Sequence, residues 1–422
     1  MYRKTVLSNG VRVVTERMVG VRSLTIGVII EVGSKHESRK LNGIAHCIEH
    51  LLFKGTTGRD AATLARMIDL AGGQLGAFTT RDYTCLFAAV LDDYRTYALD
   101  IFGDILLHSL LDAESLRREQ EAIFQEQEAG EERPEKLVQE ILKQAVWHDH
   151  PLGQSIYGQR SSVARITKDD VLTFFRDYYG ADRIIISAAG NVEHDDFVAQ
   201  VNDALWALPQ SGQAKATEKL AVPEFQPAVE IRKRDSAHVY FTLGAPASSY
   251  ASPERYAVYV LNNLLGSGMS SRLYQQMRDQ QGWVYEIGSV YHPYREAGLM
   301  LVEGFTTPRN LLPVLRGTVD VLISLLSEPV NEEELWRAKE RLRGEILIGA
   351  EASNTRMSQL ATQELYFGRY IPVEELVNSI RAVTPEDIIE VAGEMFQPGN
   401  LAITAVGPLS ESSSQIAELI GL

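Results

Sequence analysis

The sequence predicts an α+β protein of two homologous α/β-layer domains, each an antiparallel-rich sheet packed with helices, related by internal duplication. Three observations predict it. Strand-like and helix-like runs fall in separated blocks instead of a regular βαβ alternation. A helix–turn–strand unit recurs at one fixed offset. The chain has 422 residues, about two to three times the usual size of one domain.

The elements follow in order. Residues 5–32 hold Asn9-Gly10 between apolar runs, a hairpin signal, and 24–32 are rich in Ile and Val, as a buried strand would be. Three- and four-residue apolar spacing takes over at 42–53 and 59–70, where Gly72-Gly73 supplies a stop. Residues 74–91 read as extended with a turn near Arg81-Asp82. Helical patterning returns at 93–110 and again at 113–147, the latter interrupted near Pro134.

The repeat supports a duplication. The run from Ile166 to Val171 (ITKDDV) is echoed by Val383 to Ile388 (VTPEDI), and Arg183 to Gly190 by Asn400 to Gly407, both at an offset of 217 residues. In each copy a Thr with an acidic residue three positions later reads as a capping box, followed by a β-branched strand ending at Gly. Between the halves, residues 208–228 are polar, contain Pro and lack periodicity. The expected division is a domain at 1–210, a linker at 211–228 and a domain at 229–422.

Composition narrows the function classes. Hydrophobic residues make up 45% and charged residues 23%, which excludes wholesale disorder and collagen-like structure. A net charge of −15 would repel a phosphate backbone, and no basic patch offsets it, so no nucleic-acid partner is expected. The two cysteines, Cys47 and Cys85, make no disulfide framework. The apolar run at 24–32 is about half the length of a membrane-spanning helix. With no apolar signal segment at the N-terminus, the expectation is a cytoplasmic protein without a membrane partner.

One short run carries the chemistry. In Asn42-Gly43-Ile44-Ala45-His46-Cys47-Ile48-Glu49-His50 two histidines stand four apart, so on a helix both imidazoles share a face and can reach one ion. Glu49 sits beside them and can act on an ion-bound water. The pattern is HxxEH, the inverse of the HExxH of zinc hydrolases. Catalytic zinc takes three protein ligands and keeps one position open, so another His, Asp or Glu is expected on a separate element. On the acidic helix after residue 113, Glu119, Ile123 and Glu126 fall on one face, which makes that stripe the candidate source. His148 and His150 read as structural loop residues, Gly266-Ser267-Gly268 as a loop, and Cys47 as packing.

HxxEH at 46–50, with Glu126 following His50 by 76 positions, resembles the pitrilysin and insulysin family of zinc peptidases, the inverzincins, on their mitochondrial-processing-peptidase-like branch. Further matches are Leu51-Leu52-Phe53-Lys54-Gly55-Thr56, Gly72-Gly73 and His150-Pro151-Leu152-Gly153, so the resemblance spans nearly the whole chain. It implies one Zn²⁺ per chain held by His46, His50 and Glu126, Glu49 as general base, and Glu119 in support. It also implies that Arg278 and Tyr285, separated by seven, grip the substrate. Read from the residues alone, Arg278 is a surface helix residue and Tyr285 a core-edge aromatic. Phe53 resembles the aromatic beside the pocket that follows the cleaved bond. The strand bearing Gly76, Ala77 and Phe78 resembles the substrate-binding strand, with Gly76 where the family often has Asn.

The resemblance implies a zinc metalloendopeptidase that cuts unfolded peptides. It implies a homodimer enclosing a chamber, each chain forming half of a clam-shell. Relatives with degenerate motifs serve as non-catalytic scaffold or partner subunits, which is the alternative reading.

Overall fold

The computed structural model describes residues 1–70, 73–212, 220–328, 330–397, 399–409 and 413–421. Gly72, one of the paired glycines expected to stop a helix, and residues 213–219 of the expected linker lie outside the described residues. The described residues form two compact units: Met1–Gln127, Gln154–Leu220 and Ile348–Ile371 make the first, and Glu128–Gly153, Ala221–Leu347 and Pro372–Leu422 the second.

The first unit holds strands β1 (Tyr2–Val6), β2 (Arg12–Arg17), β3 (Ser23–Ile30), β4 (Gln74–Thr79), β5 (Thr84–Leu91) and β6 (Ile184–Gly190). They form one sheet in the order β1-β2-β6-β3-β5-β4. Asn9 and Gly10 turn β1 back on β2, and Gly10 takes φ 94°, open to glycine and strained for other residues. Its helices are α1 (Ile44–Leu51), α2 (Ala61–Leu70), α3 (Arg95–His108), α4 (Ala113–Glu131), α6 (Arg160–Val163), α7 (Lys168–Tyr178), α8 (His194–Leu205) and α12 (Ser353–Phe367).

β3 explains its own continuous apolar run. Leu24, Ile26, Val28 and Ile30 point into a core with α1, α3, α7 and α8, contributed among others by Ile48, Phe102, Val171 and Phe197. Ile29, on the opposite face, joins Val14, Cys85 and Ile185 against Met357, Leu360, Ala361 and Leu365 of α12. Gly27 lets α12 approach, because a Cβ there would lie 2.3 Å from the Met357 sulfur.

The second unit repeats this plan with β7 (Val229–Lys233), β8 (Val239–Ala247), β9 (Val284–Pro293), β10 (Gly298–Thr306) and β11 (Ala402–Gly407), ordered β7-β11-β8-β10-β9. β11 runs parallel to β7 and antiparallel to β8, as β6 runs parallel to β2 and antiparallel to β3. Its helices are α5 (Pro134–Val146), α9 (Arg255–Gly266), α10 (Leu311–Ser327), α11 (Glu332–Gly349), α13 (Val373–Ala382), α14 (Pro385–Met395) and α15 (Ser413–Ala417). One sheet face packs on α9, α10 and α14, and the other meets Leu142 and Val146 of α5.

The two capping boxes correspond. Thr167 accepts from the Asp170 amide and Thr384 from the Asp387 amide, each opening an eleven-residue helix. Two helices cross the expected boundary at 211–228. α5 belongs to the second unit and α12 to the first, although each lies in the other half of the sequence. The physical reason is two-sided burial: each sheet presents apolar side chains on both faces, and the helices of its own half cover only one.

Candidate metal centre

Helix α1 is anchored by Ile44, Cys47, Ile48 and Leu51, all buried at one-turn spacing in the first unit's core. That burial turns His46, Glu49 and His50 toward α4 and β4. On α4, Ile123 is fully buried and carries Glu119 and Glu126 on the same flank. Nε2 of His46 lies 3.6 Å and Nε2 of His50 3.7 Å from Oε2 of Glu126. Ligand atoms of the three residues all fall within 4.8 Å of one another. Two imidazole nitrogens and one carboxylate oxygen, converging from two elements, suit a catalytic zinc with an open position. Burial and the neighbouring His50 push the His46 pKa down to about 3, which keeps this imidazole neutral, as a ligand must be.

The neighbours define roles. Nδ1 of His50 donates to Oε2 of Glu119 at 3.0 Å, and Nζ of Lys54 donates to Oε1 of Glu119 at 2.9 Å. Glu119 thus fixes the His50 tautomer with Nε2 directed to the site. Glu49 accepts from the Thr79 hydroxyl at 2.6 Å, and burial raises its pKa against the pull of that hydrogen bond. Beside Glu49 and His50 lies a cavity of about 350 Å³, lined by Phe53, Leu64, Ile68, Leu75, Gly76 and Ala77 among others. Phe78, on the same strand, is instead 40% exposed with its ring near Tyr83 and Phe87, and does not line that cavity. β4 pairs only with β5 among the described strands, leaving its other edge open.

Arg278 and Tyr285 come together in the second unit. Arg278 sits on a π-helical turn, Tyr274–Gln280, and the chain reverses at Gly282 with φ 63°. Its guanidinium carbon is 5.0 Å from the Tyr285 ring centroid and 4.9 Å from that of Tyr274, a cation–π arrangement. Both residues line a cavity of about 910 Å³ together with Glu286 and Glu303.

Sequence reasoning missed Glu37, Thr79 and Tyr157. Glu37 is buried and accepts from the Gly43 and Ala45 amides at 2.7 and 2.8 Å and from the Asn42 side chain at 2.9 Å. Burial raises its pKa, but the three N–H donors on its two oxygens pull it down and favour the ionised carboxylate. The Tyr157 ring stands edge-on to His46 with centroids 5.1 Å apart. Glu37 and Tyr157 belong to no periodic run, and Thr79 is the last residue of β4. Lys54 was visible only within the segment that follows HxxEH.

Residues 12–160 match the family description "Insulinase (Peptidase family M16)" and residues 165–342 "Peptidase M16 inactive domain". The second half has no HxxEH of its own. The chain is 33% identical to the "Uncharacterized zinc protease YmxG" of Bacillus subtilis over 97% of its length and 98% of that protein. It is 34% identical to an "Uncharacterized zinc protease" of Streptomyces coelicolor over 98% of its length and 91% of that protein. The structure titled "The crystal structure of a protease from Helicobacter pylori" superposes with a TM-score of 0.91 at 20% identity, covering 97% of this chain and 99% of that one. A peptidase M16 inactive domain from Pseudomonas fluorescens gives 0.88 at 21% identity, over 98% and 99%. At such identities the structures speak for the fold, a mixed helix-and-sheet architecture of two homologous domains, while the sequence relatives carry the descent. The chain belongs to the M16 family of peptidases.

Proposed function

We propose that this protein is a zinc-dependent endopeptidase acting on unfolded peptides, with one zinc per chain held by His46, His50 and Glu126. The observation that carries the reading is the convergence of these three donors within 4.8 Å, with Glu49 beside them. When bound, zinc supplies a Lewis acid and a water of pKa about 7. Glu49, oriented by Thr79, takes the proton of the attacking water and returns it to the leaving amine. Glu119 keeps His50 in its ligating tautomer.

The cavity beside Glu49 takes an apolar side chain next to the scissile bond. The open edge of β4 takes the peptide in extended form by backbone pairing. Gly76 offers no side chain to it, so recognition on this strand rests on the backbone. Arg278 and Tyr285 bind the peptide through the guanidinium and the phenol. The reading includes a homodimer in the cytoplasm and the mitochondrial-processing-peptidase-like branch.

The test is Glu49→Gln, assayed on an unfolded peptide library with products read by mass spectrometry and zinc content measured in parallel. Zinc stays bound and cleavage falls by about 10²- to 10⁴-fold, the usual worth of a general base. A parent protein that holds zinc and cuts no peptide would instead make it a non-catalytic partner subunit.

A further inference from the structure

The two histidines are held in different ways. His50 is steered through its own ring, because Nδ1 bonds Glu119. Nδ1 of His46 is buried with no hydrogen-bond partner among the described residues. The orientation of His46 therefore comes from its backbone and from the Tyr157 ring packed edge-on to it. His46 is the third residue of α1, so its backbone is as fixed as the helix N-terminus is.

That N-terminus is not capped in the ordinary way. The N-cap position is Gly43, with φ 98° and no side-chain cap. A Cβ there would lie 2.9 Å from Val163 and 3.0 Å from both Gly158 and the Tyr157 carbonyl, so no Ser or Asp fits. The orphan amides of a first turn still need acceptors. Glu37, six residues upstream of Gly43, supplies them: Oε2 receives the Gly43 amide and the Asn42 side chain, and Oε1 the Ala45 amide.

The same residues reach toward Glu126. Asn42 also donates to the Ser155 carbonyl at 2.8 Å, and Ser162 donates to the Asn42 carbonyl at 2.7 Å. From α4, Gln127 donates to the carbonyls of Tyr157 and Gly158 at 3.0 and 3.1 Å. The loop that carries Tyr157 is thus tied at one side to the start of α1 and at the other to the residue after Glu126.

We infer that Glu37 is a positioning residue for the metal centre: it locks the first turn of α1, and through Asn42 the 155–158 loop, so that His46 meets His50 and Glu126. The inference rests on the zinc reading above. In Glu37→Gln at least one of the three donors faces an amide NH₂ and loses its acceptor. His46 loosens, whereas His50, held by Glu119, does not.

The experiment measures zinc affinity of the full chain by competition with a chromophoric chelator, beside the visible spectrum of the Co²⁺-loaded protein. Glu37→Gln is expected to bind zinc about 10- to 100-fold more weakly, the range for residues that orient ligands. The Co²⁺ spectrum changes, and at saturating zinc the peptide KM equals that of the parent. Zinc affinity within about twofold of the parent, with only thermal stability lowered, would make Glu37 a structural cap and overturn the inference. Should Glu37→Gln fail to fold, Asn42→Ala leaves the carboxylate and both amides in place. It removes two hydrogen bonds, to Glu37 and to the Ser155 carbonyl, and is expected to weaken zinc about three- to tenfold, a part of what the two are worth; unchanged affinity counts against the inference. A parent that binds no zinc removes the proposed function and this inference together. A parent that binds it while Glu37→Gln binds equally well removes only the inference.

Discussion

Replacing Glu119 separates the support of a ligand from the ligand itself. Glu119 is 8% exposed and lies between the His50 Nδ1, at 3.0 Å, and the Lys54 ammonium, at 2.9 Å. Glu119→Ala removes the acceptor that fixes the His50 tautomer. Loss of such a partner weakens metal binding about 10- to 100-fold, or about 1.4–2.7 kcal/mol. Glu119→Gln keeps an oxygen for Nδ1 but loses the charge and, with its NH₂ facing the ammonium, the acceptor for Lys54. The difference between charged and neutral hydrogen bonds, about 1 kcal/mol, then predicts a loss of about fivefold. Lys54→Met removes an ion pair whose lysine side chain is 40% exposed. Screening limits that pair to at most about 1 kcal/mol, and raising the salt concentration shrinks it further.

The expected order of zinc affinities is parent, then Lys54→Met and Glu119→Gln together, then Glu119→Ala well below both. Chelator competition at two ionic strengths measures it, with kcat/KM at saturating zinc as a second readout. Glu119→Ala within about threefold of the parent would refute the orienting role. A Lys54→Met effect larger than that of Glu119→Ala would refute the direction of support, from Lys54 through Glu119 to His50.

Two further predictions concern stability. Thr167→Ala and Thr384→Ala each remove the side-chain acceptor of a capping box, and each is expected to cost about 1 kcal/mol, read as a matched fall in denaturant midpoint; a large inequality would argue against equivalent caps. Burial, then the Lys35 charge, push the His36 pKa down from 6.5 to about 3, with Arg183 adding to this and Asp82 and the Gly33 backbone opposing it. The unfolded chain therefore takes up the proton first, so stability falls as pH drops from 6.5 toward 3. His36→Gln is expected to flatten that limb by about a few kcal/mol at most, and an unchanged acid limb in urea titrations would show that His36 contributes nothing to it.

Local chemistry was legible in the sequence. Asn9-Gly10 turned a hairpin, and the Thr167 and Thr384 boxes opened equivalent helices, because each signal is a side chain acting on backbone within three residues. The spacing of His46, Glu49 and His50 placed them on one side of α1 because residues three and four apart share a helix face. The choice of Glu126 over Glu119 beside the two Nε2 atoms needed the family resemblance, since both carboxylates share a flank of α4. The exchange of α5 and α12 was not legible. An amphipathic helix states that it covers an apolar face and not which sheet owns that face.

Glu37 shows the deeper limit. It sits in a polar stretch between β3 and α1, where an acidic residue ordinarily means a solvated turn, and its acceptors matter only because Gly43 cannot cap the helix it begins. Gly43 in turn is required by the approach of Gly158 and Val163, more than a hundred residues later in the chain. A motif therefore identifies which atoms can bind an ion, whereas the rigidity that lets them bind tightly depends on loop closure. The two histidines divide along that line. His50 owes its orientation to Glu119, a residue the helical period could find, and His46 owes its own to a carboxylate and a ring that only the folded chain brings near. Substitutions at Glu37 should accordingly act on zinc through His46 and those at Glu119 through His50. Because both ligands close on one ion, the double variant should bind zinc more tightly than the product of the single losses predicts, and simple additivity would mean that the two supports act on independent parts of the site.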